Sequence, residues 1–300
     1  MPVARVILNP YAGRWSSRQR WPAAEAALRE AGLAYEVAAT ERPGQAQDLA
    51  RQAALDGCSP IVVAGGDGTV GEVVNGLAQA AGDGAPIGPI GIIAAGTAND
   101  IVDTVGIPRD LRAAAQTIAR GQSRPMDLGE VNGRLFVNNS AIGLEPYVTL
   151  IQQRYRRVQG PLRYMLAALR GIADCPRWTM RLEWDGGQCE GPTTLVAIGN
   201  GPRSGGLFYM APHASPFDGR LALVYGYRAT RLQMLGTLPR TMRPGKGSYV
   251  EIDGIHETQM SWLRVRIDRP APAHADGEVF APAIRELEYK VWPGRLQILV

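Results

Sequence analysis

Ile61-Val62-Val63-Ala64-Gly65-Gly66-Asp67-Gly68-Thr69 is an apolar run that stops in a glycine-rich turn, and Val70-Gly71-Glu72 opens a helix-patterned segment directly after it. A run without polar alternation reads as a strand covered on both faces, which is the habit of parallel sheets. A strand, a glycine turn and a helix in that order can aim successive backbone N–H groups into one concavity at the helix N-terminus, where an anion is stabilised. Glycine allows the backbone to approach phosphate oxygens closely. Asp67 would stand among those phosphates, a place that suits a carboxylate only beside a metal or a reacting hydroxyl. A bare GDG would equally serve as a tight turn capped by Asp; the full GGDGT after a buried strand favours phosphate.

The same rhythm extends in both directions. Strands are expected at 3–8, 35–39, 60–64 and 90–94, and helices at 45–55, 70–80, 98–105 and 111–119. A further helix follows the first strand, with Pro22 near its first turn. Strands alternating with helices predict one α/β domain with a parallel sheet. After Gly121 the pattern changes to short strands separated by Gly and Pro turns, with an Asn132-Gly133 hairpin and one helix at 162–172. That pattern predicts a β-sandwich or barrel-like second domain. The boundary is placed near Arg124, giving domains 1–124 and 125–300.

Composition excludes several alternatives. The 300 residues are 45% hydrophobic and 20% charged, as in a packed globular chain. No uncharged stretch reaches the roughly 18 apolar residues of a membrane span, and the first ten residues lack a signal-peptide pattern, so a cytoplasmic protein is expected. Cys58, Cys175 and Cys189 form no CxxC and, with three scattered histidines, no zinc motif. The only lysines are Lys246 and Lys290, which rules out a Walker-type GxxxxGK[ST] loop. The net charge of +4 is uneven: residues 1–124 carry −1 and residues 125–300 carry +5. Two stretches, 146–173 and 219–250, contain no acid; the first holds Arg154, Arg156, Arg157, Arg163 and Arg170 among Tyr155, Leu162, Tyr164, Leu166 and Leu169. Such mixed segments suit an anionic membrane surface, or form a merely solvated basic face. No nucleic-acid module accompanies these cations, so no nucleic-acid partner is expected.

Two further turns repeat the polar logic. Ala94-Ala95-Gly96-Thr97-Ala98-Asn99-Asp100 ends the 90–94 strand, and Asn9-Pro10-Tyr11-Ala12-Gly13 ends the first. Neighbouring parallel strands open their following turns at one sheet edge, where α/β proteins bind ligands. Gly66, Gly68 and Gly71 also match GxGxxG, but on the third βα unit and without the ribose-binding acid after the next strand, so a dinucleotide fold is discounted.

These motifs resemble the diacylglycerol kinase catalytic-domain family, in particular its soluble bacterial lipid kinases related to sphingosine and ceramide kinases. The resemblance runs through NPYAG (9–13), VVAGGDGTVGEVVNGL (62–77), GIIAAGTANDIVDTVGIP (91–108), NNSAIGLE (138–145), GNGPRSGGLFYMAPHASPFDGRL (199–221) and DGE (276–278). It implies a phosphofructokinase-like α/β domain, a β-sandwich, and an active site in the cleft between them. It implies an ATP site formed by Asn9, Pro10, Tyr11, Ala12, Gly13, Thr40, Gly66, Asp67, Gly68, Thr69, Val70, Gly71, Glu72 and Thr97. Glu278 is implied as the general base, with Asp67 and Asp276 close to the reacting phosphate and its Mg2+. A structural Mg2+ is implied at Asp218, with Ser215 and Arg220 contributing backbone carbonyls. The expected reaction is transfer of the ATP γ-phosphate to a lipid hydroxyl at a membrane surface.

Departures from the family pattern are visible. Gly71 stands where most members carry Asn, Ala94-Ala95 replaces a Pro-hydrophobic pair, and Ser215-Pro216-Phe217-Asp218 has one acid where many have two. Alternatives are an NAD-kinase-like enzyme with a soluble substrate and a non-catalytic nucleotide-binding regulator. The acceptor lipid and the oligomeric state, including a homodimer, stay open.

Overall fold

The computed structural model describes residues 3–13, 15–152, 154–155, 158, 160–174 and 176–300, with backbone only at Gly160, Pro161 and Tyr164. The expectations for Arg156, Arg157, Cys175 and the Tyr164 side chain lie outside the described residues. Two units result: the first comprises residues 1–128, 216–219 and 292–300, the second 129–215 and 220–291.

In the first unit the order is β1 (Ala4–Leu8), α1 (Ser16–Glu30), β2 (Tyr35–Ala39), α2 (Gln45–Leu55), β3 (Ile61–Gly65), α3 (Asp67–Ala81), β4 (Ile87–Ala94), α4 (Asp100–Val105) and α5 (Leu111–Arg120). The strands are parallel, with β1 between β2 and β3 and with β4 beside β3. Valines and isoleucines fill β3 because both of its faces are covered: Val62 and Val63 are fully buried. One face packs Val6, Val62 and Ile93 against Ala27 and Leu28 of α1 and Ala115 and Ile118 of α5. On α3, a Cβ added to Gly76 would lie 2.1 Å from the Gln47 carbonyl of α2, so these two helices meet backbone to backbone. Pro22 stands well inside α1 rather than in its first turn, because the helix already begins at Ser16. α3 begins earlier than its apolar pattern indicates, since Asp67, Gly68 and Thr69 are themselves helical.

The second unit contains β5 (Ser123–Val131, from residue 129 on), β6 (Arg134–Phe136), β7 (Asn139–Gly143), α6 (Leu144–Gln152), α7 (Gly160–Asp174), β8 (Trp178–Trp184), β9 (Gly187–Thr193), β10 (Leu195–Gly199), β11 (Leu221–Gly226), α8 (Arg231–Thr237), β12 (Ile255–Met260), β13 (Trp262–Ala275) and the start of β14 (Glu278–Leu299). Its strands pair antiparallel in the order β12-β11-β10-β7-β13-β14. β13 pairs β8 through 263–267 and β7 through 273–275, with register shifts between 266 and 274 on its β14 side. This change of partner lets one strand serve two sheets, as sandwich corners require. Phe136, Ile142, Met180, Ile198, Leu223 and Leu287 fill the space enclosed. The Asn132-Gly133 hairpin forms as expected, with φ values of 47° and 82° that suit its two-residue turn. α6, α8, β9 and β12 lacked a readable period and are new.

The linear boundary near Arg124 leaves out two returns of the chain to the first unit. The end of β14 adds a parallel strand beside β4, with Leu296 opposite Ile87. The 216–219 segment is bound by Asp127, which is 4% exposed: its carboxylate accepts from Gly219 N and Gly294 N, each at 2.7 Å, and its own N–H donates to Pro216 O at 2.8 Å. Asp127→Ala should lower unfolding stability by about 3 kcal/mol, because two partly buried N–H groups lose a charged acceptor. A shift of the urea midpoint worth under about 1 kcal/mol would contradict that role.

Candidate active site

In the first unit, β1, β3 and β4 end at the same edge of a parallel sheet, so Asn9, Gly66 and Gly96 begin three neighbouring turns. The turns are locked to one another. Asn9 Nδ2 donates to Thr69 Oγ1 at 3.0 Å, and Asn9 Oδ1 accepts from Tyr11 N at 3.0 Å. Ala95 N donates to Gly65 O at 2.9 Å, and Ser16 Oγ donates to Ala95 O at 3.3 Å. A Cβ on Gly96 would lie 2.4 Å from Gly66 Cα, and one on Gly13 would lie 2.9 Å from Ala95 O. Glycine is therefore a requirement of packing here. The Asn99 side chain closes its own turn, accepting from Gly96 N and donating to Gly96 O, both at 3.0 Å, while its backbone sits at φ 56°.

Asp67 opens α3 and accepts from Ile101 N at 3.2 Å, so the carboxylate ties the GGDGT turn to α4. Thr97 is exposed at the rim, and Gly66, Asp67 and Gly68 are partly exposed. Thr40 follows β2, is 5% exposed and donates its N–H to Leu8 O at 2.8 Å. Pro10 and Ala12 are half-buried, whereas Tyr11 is exposed and meets the Trp15 ring edge-on at 4.8 Å.

Three expected members turn away from this edge. Val70 and Gly71 lie on the buried face of α3. Glu72 accepts from Gly44 N at 3.2 Å and Ala46 N at 3.1 Å, so it caps the α2 N-terminus. The sequence reading missed Arg109, whose guanidinium binds Asp103 at 2.7 Å and Ala98 O at 2.8 Å. Hydrogen bonding to Asp103 holds this guanidinium above its ordinary range against partial burial, helped by the Asp100 and Asp67 carboxylates. It lies beyond the GTAND motif, where no pattern marked it.

In the second unit, Asp276-Gly277 is the two-residue turn between β13 and β14, with φ of 48° and 78°. The Asp276 carboxylate accepts from Val137 N and Asn138 N at 2.8 Å and from Asn139 N at 3.1 Å. These three amides account for both oxygens, so Asp276 anchors the turn that presents Glu278. Glu278 is half-exposed and pairs with Arg134 Nη2 at 2.7 Å. Arg134 had no sequence signal; the β5–β6 hairpin brings it there. His213 bonds Glu257 at 2.6 Å, whereas His274 is fully buried against Glu145.

Of the donors expected for a structural metal, Asp218 and Arg220 are exposed and Ser215 is half-buried. The Arg220 side chain pairs with Asp185 at 2.9 Å. Among the described residues no group of three His, Cys, Asp or Glu could hold a metal. An ion bound there would take the Asp218 carboxylate together with main-chain carbonyls and water, the oxygen donors that Mg2+ and Ca2+ accept. Asp67 beside the glycine turns would fit the other habit of Mg2+, one carboxylate plus substrate phosphates.

The second unit also contains an apolar cavity lined by Leu144, Val148, Ala168, Phe208, Met210 and Met234, from α6, α7, α8 and the neighbouring strand ends and loops.

Residues 3–131 match the diacylglycerol kinase catalytic domain, and residues 139–300 match the YegS C-terminal NAD kinase beta sandwich-like domain. The chain belongs to the diacylglycerol kinase catalytic-domain family. It is 31% identical to a diacylglycerol kinase of Bacillus subtilis over 93% of this chain and 90% of that one. It is 32% identical to a Pseudomonas aeruginosa protein named "Probable lipid kinase YegS-like" over 95% of this chain and 91% of that one. A crystal structure of a diacylglycerol kinase from Bacillus anthracis superposes with a TM-score of 0.74 at 21% identity, covering 99% of this chain and 96% of that one. Yeast NADH kinase complexed with NADH shares the fold more distantly, at 12% identity and a TM-score of 0.51, covering 100% and 83%. The α/β domain followed by a β-sandwich expected from the sequence is therefore confirmed.

Gly96→Ala forces the two turns apart and should weaken ATP binding at least tenfold, read by calorimetry. Gly236→Ala, where an added Cβ meets nothing within 4 Å, is the control. Equal affinity in both variants would remove the turn contact from nucleotide binding.

Proposed function

We propose that this family member is an ATP-dependent kinase that transfers the γ-phosphate to a lipid hydroxyl. One combination carries the reading: a glycine-walled turn cluster suited to phosphates in the first unit, and an apolar cavity suited to an acyl chain in the second. Phosphoryl transfer asks the protein for positioning and charge stabilisation, with a weak base for the hydroxyl. The backbone amides around Gly66–Thr69 and Gly96–Thr97 would receive the nucleotide phosphates, and the Asn9 turn would flank them. Asp67 would hold Mg2+ brought with ATP; when bound, that ion neutralises phosphate charge. Glu278, fixed by the Asp276 turn and by Arg134, would take the proton from the attacking hydroxyl. An NAD-kinase-like activity would leave the apolar cavity without a purpose.

Glu278→Gln should reduce phosphorylation of lipid in mixed micelles by about 10²–10⁴, the usual contribution of a general base, with an unchanged melting temperature. Near-normal turnover would remove Glu278 from that role.

The cavity elements also support contact with an anionic membrane. No helix among the described residues is long and apolar enough to cross one. Leu162 and Leu169 on α7 are 60% and 42% exposed, and Leu232 and Leu235 on the adjoining α8 are 81% and 40% exposed. The same acid-free segments expose Arg154, Arg240, Arg243 and Lys246. Exposed leucines among cations are what an interfacial surface requires. The double variant Leu162→Glu, Leu232→Glu should lower partitioning onto anionic vesicles more than tenfold. Unchanged partitioning would exclude this face.

A further inference from the structure

The apolar cavity has two charged lining residues, Glu145 and Arg228, together with Thr194, Thr237 and Thr241. The threonine hydroxyls are already engaged. Thr237 Oγ1 donates to Gln233 O at 2.8 Å, Thr241 Oγ1 donates to Leu238 O at 2.6 Å, and Thr194 Oγ1 accepts from Arg228 N at 2.9 Å. Arg228 directs Nη1 to Asp253 O at 3.0 Å. Glu145 differs. It is 7% exposed, and its Oε1 accepts from Ser204 Oγ at 2.7 Å and lies 3.2 Å from His274 Nε2. Among the described residues its Oε2 has no partner.

The support around Glu145 is built. His274 is 1% exposed, and its carbonyl accepts from Ser140 Oγ at 2.6 Å, which also lies 3.1 Å from Tyr289 Oη. His274 precedes the Asp276 turn on β13, so the strand that leads into the turn before Glu278 also braces Glu145. Glu145 lines the apolar cavity, where a carboxylate oxygen left without a donor is costly.

We propose that Glu145 is the specificity-determining residue of the acceptor cavity, its free oxygen accepting a hydrogen bond from a second donor, hydroxyl or amine, on the acceptor lipid. This rests on the lipid-kinase reading for its place in the reaction. The acceptor then carries two polar hydrogens near its head: one on the reacting hydroxyl and one for Glu145. A lipid esterified everywhere except at its reacting hydroxyl leaves Oε2 unmet and binds less well. A site built to bond a donor rejects an analogue lacking it far more strongly than a hydrophobic pocket rejects a change of size.

Three octadecyl ethers separate the cases, since they share one chain and one terminal hydroxyl: those of glycerol, of propanediol and of aminopropanediol. Their second donors are a hydroxyl, none and an amine. Calorimetry on the full chain in detergent micelles, without nucleotide, gives the affinities. The wild type should bind the glycerol or the amino ether at least tenfold tighter than the propanediol ether, and whichever binds tighter names the donor. Glu145→Leu should remove the discrimination. Equal affinity of the wild type for all three overturns the proposal without any variant having to fold, as does discrimination that survives in Glu145→Leu. No phosphate moves in this measurement, so discrimination without lipid phosphorylation would support the role of Glu145 and refute the kinase reading.

Discussion

The close approach of Gly66 to Gly96 is the constraint on which the candidate nucleotide site depends. With no Cβ at either position, two βα turns can lie backbone against backbone, bringing the N-terminal amides of α3 and the GTAN turn to one place. Asn9 completes the arrangement by reaching Thr69. The proposed binding surface would thereby be made of main-chain donors, which cannot rotate away as side chains can. The few side chains at this edge mostly serve to fix the backbone: Asn99 closes its own turn, and Asp67 bonds α4.

A related economy operates in the second unit. Asp276 accepts three successive amides, and the turn it anchors sets the direction of Glu278. On the same strand, His274 supports Glu145 at the cavity wall. β13 thus carries the brace of the proposed selectivity residue and leads through the Asp276 turn to the proposed base, which opens β14, an arrangement that precise positioning favours. Its change of partner between β8 and β7 makes a sandwich strand available for both tasks.

The parallel domain was legible because β3 and β4 are apolar runs leading into glycine turns, and because glycine is informative wherever backbones touch. The site edge was legible for the same reason: Gly66 and Gly96 could be read, and the turns meet. Side-chain partnerships were not legible. Glu72 looks like a ligand residue within VGEVV, yet it caps a helix whose N-terminus is distant in sequence. Asp276 looks catalytic within DGE, yet its oxygens meet the 137–139 amides across 137 or more positions. Arg134 has no local signal, and Glu145 closes the NNSAIGLE motif without a role being readable from it, since both proposed roles come from sheet register and cavity shape. The returns of 216–219 and 292–300 to the first unit depend on Asp127, a residue without motif.

The most direct test of lipid phosphorylation is the fate of the γ-phosphate. The purified protein is incubated with γ-labelled ATP, Mg2+ and micelles that each carry one hydroxyl-bearing lipid, beside a tube with NAD alone, and the products are partitioned between organic and aqueous phases. The account predicts label in the organic phase with at least one lipid and none in NAD. Label in NAD, or none in any lipid from a protein that binds ATP, would contradict it.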